Sequence, residues 1–192
     1  GPRDHGLTIA PMYHGAGLSF TLANVFLGGS ATILPRFDPE AVLAGFAAEP
    51  ITNAFMVPTH FHGLFGLGDE RVAAIGHDAL KTIVSNAAPL SQAMKERIVD
   101  VIGDGYLFEC YGSTEAGVVS NLAPADPLRK ERSAGLPFPA TEVRLLDEEG
   151  HEVGVGDVDE LFSRSPYLFT GYQGREAATA AALRDGWFSA GD

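Results

Sequence analysis

Thr82-Ile83-Val84-Ser85-Asn86-Ala87-Ala88-Pro89-Leu90-Ser91 is the stretch whose reading decides the fold. Its first four residues are β-branched or small and read as a short strand. A loop of small residues closed by proline follows, and Ser91 stands where a helix N-cap belongs. The helix it opens, Gln92–Val101, carries Met94, Ile98 and Val101 at helical spacing. A second candidate strand, opening on the apolar run Tyr106-Leu107-Phe108, then occupies residues 106–110. Strand, helix and strand in that order, with strands too apolar to face water, imply a parallel sheet covered on both sides.

Working outward, the same alternation fills the first two-thirds of the chain. Strand-like runs lie at 7–10, 31–34 and 53–57, and Asp38-Pro39 reads as an N-cap followed by proline at the first helical position. Residues 15–35 carry no charge, yet Ser19, Thr21, Asn24 and the Gly28-Gly29 pair divide them into a helix, a turn and a strand. That is too short for the roughly 20 apolar residues of a membrane span. The expectation is a buried helix with strand 31–34 behind it.

Past about Asn121 the pattern changes. Residues 141–146 read as a strand, 147–150 as a turn, 151–153 as a returning strand and 160–162 as another, with a helix near 175–183 ahead of Trp187-Phe188. This describes a small antiparallel, barrel-like subdomain. The Pro-rich charged stretch 124–132 marks the boundary, giving an α/β subdomain over 1–125 and a β-rich one over 126–192.

Bulk properties narrow the partners. The chain has 192 residues, 45% hydrophobic and 20% charged, with a formal net charge of −12. Its lysines are Lys81, Lys95 and Lys130, with no basic run. Nucleic acid is excluded as a main partner, because phosphate backbones need clustered cations. The single Cys110 excludes an internal disulfide and fits a cytoplasmic setting.

Chemistry concentrates where two strands end, the usual ligand position in open parallel sheets. Ala87 and Ala88 leave backbone open to a planar base. Tyr111-Gly112-Ser113-Thr114-Glu115 brings an aromatic ring for stacking, hydroxyls for phosphate and a carboxylate suited to Mg²⁺. An alternative stays open: Ser113 simply N-caps a short helix. His60 and His62, near Glu70, have no metal-ligand spacing and read as core or solvent residues, and Cys110 as a buried structural thiol.

Four ordered segments then carry a resemblance: Pro11-Met12-Tyr13-His14-Gly15, Ser85-Asn86-Ala87-Ala88-Pro89-Leu90, Tyr111-Gly112-Ser113-Thr114-Glu115, and Gly186-Trp187-Phe188-Ser189-Ala190-Gly191-Asp192. With Gly135-Leu136-Pro137 and Gly171-Tyr172 as connecting segments, they resemble the middle of the adenylate-forming superfamily of acyl- and aryl-CoA synthetases, peptide-synthetase adenylation domains and luciferases. The resemblance implies part of a five-layered α/β domain followed by a small antiparallel subdomain. It implies ATP, with AMP as product, Mg²⁺ and coenzyme A, and a small carboxylic acid as substrate. Asn86, Ala87, Ala88 and Pro89 would line the adenine site, and Glu109, Cys110, Tyr111, Gly112, Ser113 and Thr114 the nucleotide stretch, with Tyr111 stacking on the base. Thr114 would contact the α-phosphate, Glu115 hold Mg²⁺ and Asp192 accept from the ribose hydroxyls. His14 would stand beside the acyl carboxylate as a gate or positioning group.

Three departures stand out. Ala190 replaces the usual threonine, Ser165 a common glycine, and Asn86 the glycine beside the adenine loop. The resemblance further implies an upstream phosphate loop with a lysine and a C-terminal lid domain with another, neither found in these 192 residues. The expectation is therefore an internal fragment of an ATP-dependent acyl-CoA synthetase, inactive alone. A carrier-protein-linked adenylation domain, or a non-catalytic nucleotide-binding module, is the alternative.

Overall fold

The computed structural model describes residues 1–75 and 78–192. They divide into two compact units: Gly1–Cys110 with Leu122–Gly135, and Tyr111–Asn121 with Leu136–Asp192. Strand β5 passes from one to the other.

The first unit holds five parallel strands in the order β2-β1-β3-β4-β5: β1 His5–Thr8, β2 Ser30–Ile33, β3 Asn53–Met56, β4 Thr82–Ser85 and β5 Leu107–Ser113. The register pairs Ile83 with Leu107 and Ser85 with Glu109, so β4 ends beside Glu109 while β5 runs on to Ser113. Helices α1 Gly15–Phe26, α2 Pro39–Ala48, α3 Pro58–Phe65, α4 Asp69–Val72 and α5 Gln92–Val101 connect the strands. Two helix starts follow the expected chemistry. Asp38 Oδ1 accepts from Glu40 N at 3.0 Å ahead of Pro39, and Ser91 Oγ from Met94 N at 3.3 Å. The core is one apolar cluster running from Leu7 and Ile9 through Phe61, Leu64 and Ile83 to Ile98 and Leu107.

Helix α1 departs from expectation. It buries only Gly17, Thr21 and Asn24, leaving Leu18, Leu22, Val25 and Phe26 exposed. The reason is close approach: a Cβ on Gly17 would stand 2.5 Å from Pro11 O, so the contact face is built from small and polar residues. Thr21 Oγ1 bonds Thr8 Oγ1 at 2.7 Å, and Asn24 Oδ1 accepts from Asn53 Nδ2 at 3.0 Å. The apolar residues are thereby turned outward. No helix among the described residues is long and apolar enough to cross a membrane.

In the second unit β6 Gly117–Leu122 pairs antiparallel with β7 Leu136–Pro137, and a four-stranded antiparallel sheet runs β10-β11-β9-β8. Its strands are β8 Glu142–Leu146, β9 Glu160–Arg164, β10 Leu183–Arg184 and β11 Trp187–Ser189, with α6 Glu176–Ala182 before β10. The returning strand expected at 151–153 is reduced to one bridge, Leu146 to Glu152, flanked by Val153 N donating to Leu145 O and Asp147 N to His151 O on the outer edge of β8, while β9 pairs along its other edge. The guanidinium groups of Arg144 and Arg164 both stand over the Trp187 ring, 4.5 and 4.6 Å from its centroid. Arg164 is also held by two-point pairing with Glu142.

Candidate nucleotide-binding site

In the first unit, the loop leaving β4 is fixed from β5. Asn86 Nδ2 donates to Cys110 O at 2.7 Å, and Leu90 N donates to Glu109 Oε2 at 3.3 Å. Lys95 on α5, only 3% exposed, forms an ion pair with the same Glu109 carboxylate. Between these anchors Ala87 adopts φ 73°, a left-handed conformation that non-glycine residues take up only under surrounding restraint, and Ala87, Ala88 and Pro89 are exposed. The outcome is a rigid rim of small residues with open backbone, suited to a flat ring. Here Asn86 supplies the tie to β5. Burial, aided by the Glu109 charge, pushes the Cys110 thiol up to about 11, so it is protonated and inert at neutral pH.

His14 is the N-cap of α1, its Nδ1 accepting from Ala16 N at 3.2 Å. That bond assigns the ring proton to Nε2, and the side chain is exposed. His60 is a core residue: 7% exposed, stacked on Phe37 at 4.5 Å, and lowered in pKa by burial. His62 is exposed, and no group of three or more metal-binding side chains occurs among the described residues.

The second unit carries the residues expected to meet phosphate. Tyr111, Gly112 and Ser113 are the last residues of β5, correcting the expectation that the whole pentapeptide is loop. Only Thr114–Ala116 turns, and Ser113 Oγ caps that turn by accepting from Ala116 N at 3.1 Å; no helix begins there. Gly112 has a structural duty as well, since a Cβ there would lie 2.0 Å from Gly117 O across the β5–β6 turn. Val119 is 2% exposed and packed with Ala116 and Phe188.

Two tyrosine–carboxylate bonds organise this unit. Tyr111 Oη donates to Asp192 Oδ2 at 2.6 Å, joining residues 81 positions apart. Burial, with the Asp192 bond and charge, raises the Tyr111 phenol well above its ordinary value. Tyr172 Oη donates to Glu115 Oε1 at 2.9 Å, and that bond is the main cause of its own raised pKa. Thr114 is exposed, its hydroxyl open to a ligand. A single carboxylate beside a hydroxyl is a poor cation cage alone, yet it matches Mg²⁺, which is commonly held by one or two carboxylates plus substrate phosphates. Sequence reasoning passed over Tyr172 as part of a connecting segment, since nothing local reveals a partner 57 residues away. It treated Glu109 only as a nucleotide-lining residue, whereas its carboxylate here binds Lys95 and Leu90 N.

The AMP-binding enzyme family matches over residues 1–173. A feruloyl-CoA synthase from Amycolatopsis sp is 35% identical over 98% of this chain and 38% of its own length. A long-chain-fatty-acid–CoA ligase from Yersinia pestis is 33% identical over 99% of this chain and 34% of its own. Among solved structures, the amide bond synthetase McbA from Marinactinospora thermotolerans superposes with a TM-score of 0.88 at 28% identity, covering 100% of this chain and 39% of that one. The chain thus spans a little over a third of the length of these proteins.

Proposed function

The chain belongs to the AMP-binding enzyme family, and from that premise we propose that it is the adenylate-holding segment of a longer, cytoplasmic acid–thiol ligase. The observation that carries the proposal is the Tyr111–Asp192 hydrogen bond. It brings a base-stacking ring and a ribose-binding carboxylate together from distant positions, as a nucleoside with adjacent base and sugar requires.

In the first step a substrate carboxylate oxygen attacks the α-phosphorus of ATP. The bond to the bridging oxygen breaks, pyrophosphate leaves, and an acyl-adenylate remains. In the second, the thiol of coenzyme A attacks the acyl carbon and AMP departs. Tyr111 stacks on adenine while its hydroxyl orients Asp192 for the ribose. The loop Asn86-Ala87-Ala88-Pro89 offers open backbone to a flat ring. Thr114 donates to an α-phosphate oxygen as charge builds there. Glu115 would hold Mg²⁺, which neutralises phosphate charge and orients the leaving group. His14, with its proton on Nε2, can donate to the substrate carboxylate and later yield the path to the thiol.

The relatives' names point to apolar aryl and long-chain acids as the substrate class. The similarity to an amide bond synthetase makes an amine a second candidate acceptor. The test is acid-dependent ATP–pyrophosphate exchange by the full-length enzyme, with hydroxycinnamic and long-chain acids as substrates and coenzyme A or amines as acceptors. Exchange with at least one acid, lost in Asp192→Ala and Tyr111→Ala, is expected. No exchange with any acid, together with no AMP binding by calorimetry, refutes the proposal. The 192-residue chain alone should show no exchange. Lys95 is buried against Glu109 and so is not available to a phosphate, and Lys81 forms a surface pair with Asp4.

A further inference from the structure

Glu115 is gripped at two points by one short segment. Phe169 N donates to Glu115 O at 2.7 Å, and three residues later Tyr172 Oη donates to Glu115 Oε1 at 2.9 Å. The segment is itself braced. Tyr172 N donates to Thr179 Oγ1 at 2.9 Å, and the same hydroxyl donates to Arg175 O at 3.1 Å, tying Tyr172 to the start of α6. The Tyr172 ring packs edge-on against Phe169 at 4.8 Å, and Phe169 edge-on against the buried Phe188 at 5.7 Å. Gly171 permits the approach: its φ is +143°, and a Cβ would sit 2.8 Å from Thr179 Cγ2.

We propose that Tyr172 is a positioning residue for the cation-binding carboxylate: its hydroxyl locks Glu115 in one rotamer and leaves Oε2 directed to the metal. The inference rests on the reading of Glu115 as a Mg²⁺ ligand. A hydrogen bond to one oxygen of a carboxylate removes the rotational freedom that metal binding would otherwise have to remove. Partners of this kind commonly change metal affinity 10- to 100-fold when deleted. The packing of Phe169 between Tyr172 and Phe188 carries this order from the apolar cluster to Glu115.

The experiment measures Mn²⁺ affinity by electron paramagnetic resonance in the full-length enzyme with a non-hydrolysable ATP analogue, alongside thermal melting. Tyr172→Phe keeps the ring and removes the hydroxyl. The expected result is about a ten-fold weaker Mn²⁺ affinity, an unchanged melting temperature and an unchanged KM for the acid. Glu115→Gln separates the two readings. If it weakens Mn²⁺ and Tyr172→Phe does not, the positioning role falls and the metal reading stands. If Glu115→Gln changes nothing, the metal reading falls and takes this inference with it. Should Tyr172→Phe melt lower, its Mn²⁺ affinity is measured well below that melting temperature, where the variant is folded, and an unchanged affinity there overturns the proposal.

Discussion

Replacing Gly112 by alanine tests the claim that this residue is dictated by the β5–β6 turn, independently of any nucleotide. The added Cβ would lie 2.0 Å from Gly117 O, 3.0 Å from Gly117 C and 3.1 Å from Val118 Cα. Real Cβ contacts start at about 3.0 Å, so the two backbones must separate by about 1 Å. The obstacle is main chain, which cannot rotate away as a side chain would, and both residues lie at the turn beside the Ala116–Val119–Phe188 cluster. Overpacking typically costs about 1–3 kcal/mol, and a backbone obstacle puts this case at the upper end, about 3 kcal/mol. For a chain of this length that corresponds to roughly 6–12 °C in Tm. Urea unfolding followed by the fluorescence of Trp187, the only tryptophan, reads the unit concerned. Gly45→Ala is the control. It lies inside α2 with nothing nearer than 3.5 Å, so the same substitution should stabilise by about 0.5–1 kcal/mol, read by circular dichroism. A Gly112→Ala loss below about 0.5 kcal/mol would refute the close-approach reasoning.

Three further outcomes follow from the first unit. Asn86→Ala removes the 2.7 Å bond to Cys110 O and should cost about 1–2 kcal/mol in urea unfolding, with weaker AMP binding by the full-length enzyme. Lys95→Met leaves the Glu109 carboxylate largely buried without its cation and should cost about 3 kcal/mol, whereas adding Glu109→Gln should recover most of that loss; a double-mutant cycle measures the difference. Cys110 should resist alkylation at pH 8 until urea unfolds the chain. Its folded value of about 11 lies above the ordinary 9.0, so its contribution to stability is complete below pH 9 and is lost as pH rises from 9 to 11. A pH titration of the urea midpoint, compared with Cys110→Ala, checks the sign.

The strand–loop–helix grammar was legible in the sequence because it depends on local chemistry. Thr82–Ser85 appears as a strand with its expected bounds, Gln92–Val101 as a helix opened by Ser91, and Asp38-Pro39 as a helix start. Each follows from side-chain branching, N-cap hydroxyls or carboxylates, and apolar spacing within a few residues. The order of chemical segments was equally plain. What lay beyond the sequence were interactions between residues far apart in the chain. The side on which α1 shows its apolar residues depends on the close approach of Gly17 to Ala10 and Pro11 and on the polar contacts of Thr21 and Asn24 with β1 and β3, and no count of hydrophobic residues reveals it. The extension of β5 through Ser113 depends on the backbone of Gly117 coming within reach of Gly112. Periodicity and local capping chemistry determined that this chain builds a parallel sheet joined by helices. Only the tertiary structure decided that Tyr111 meets Asp192 and that Tyr172 meets Glu115, because a hydrogen bond across 81 or 57 residues is set by where the chain returns in space.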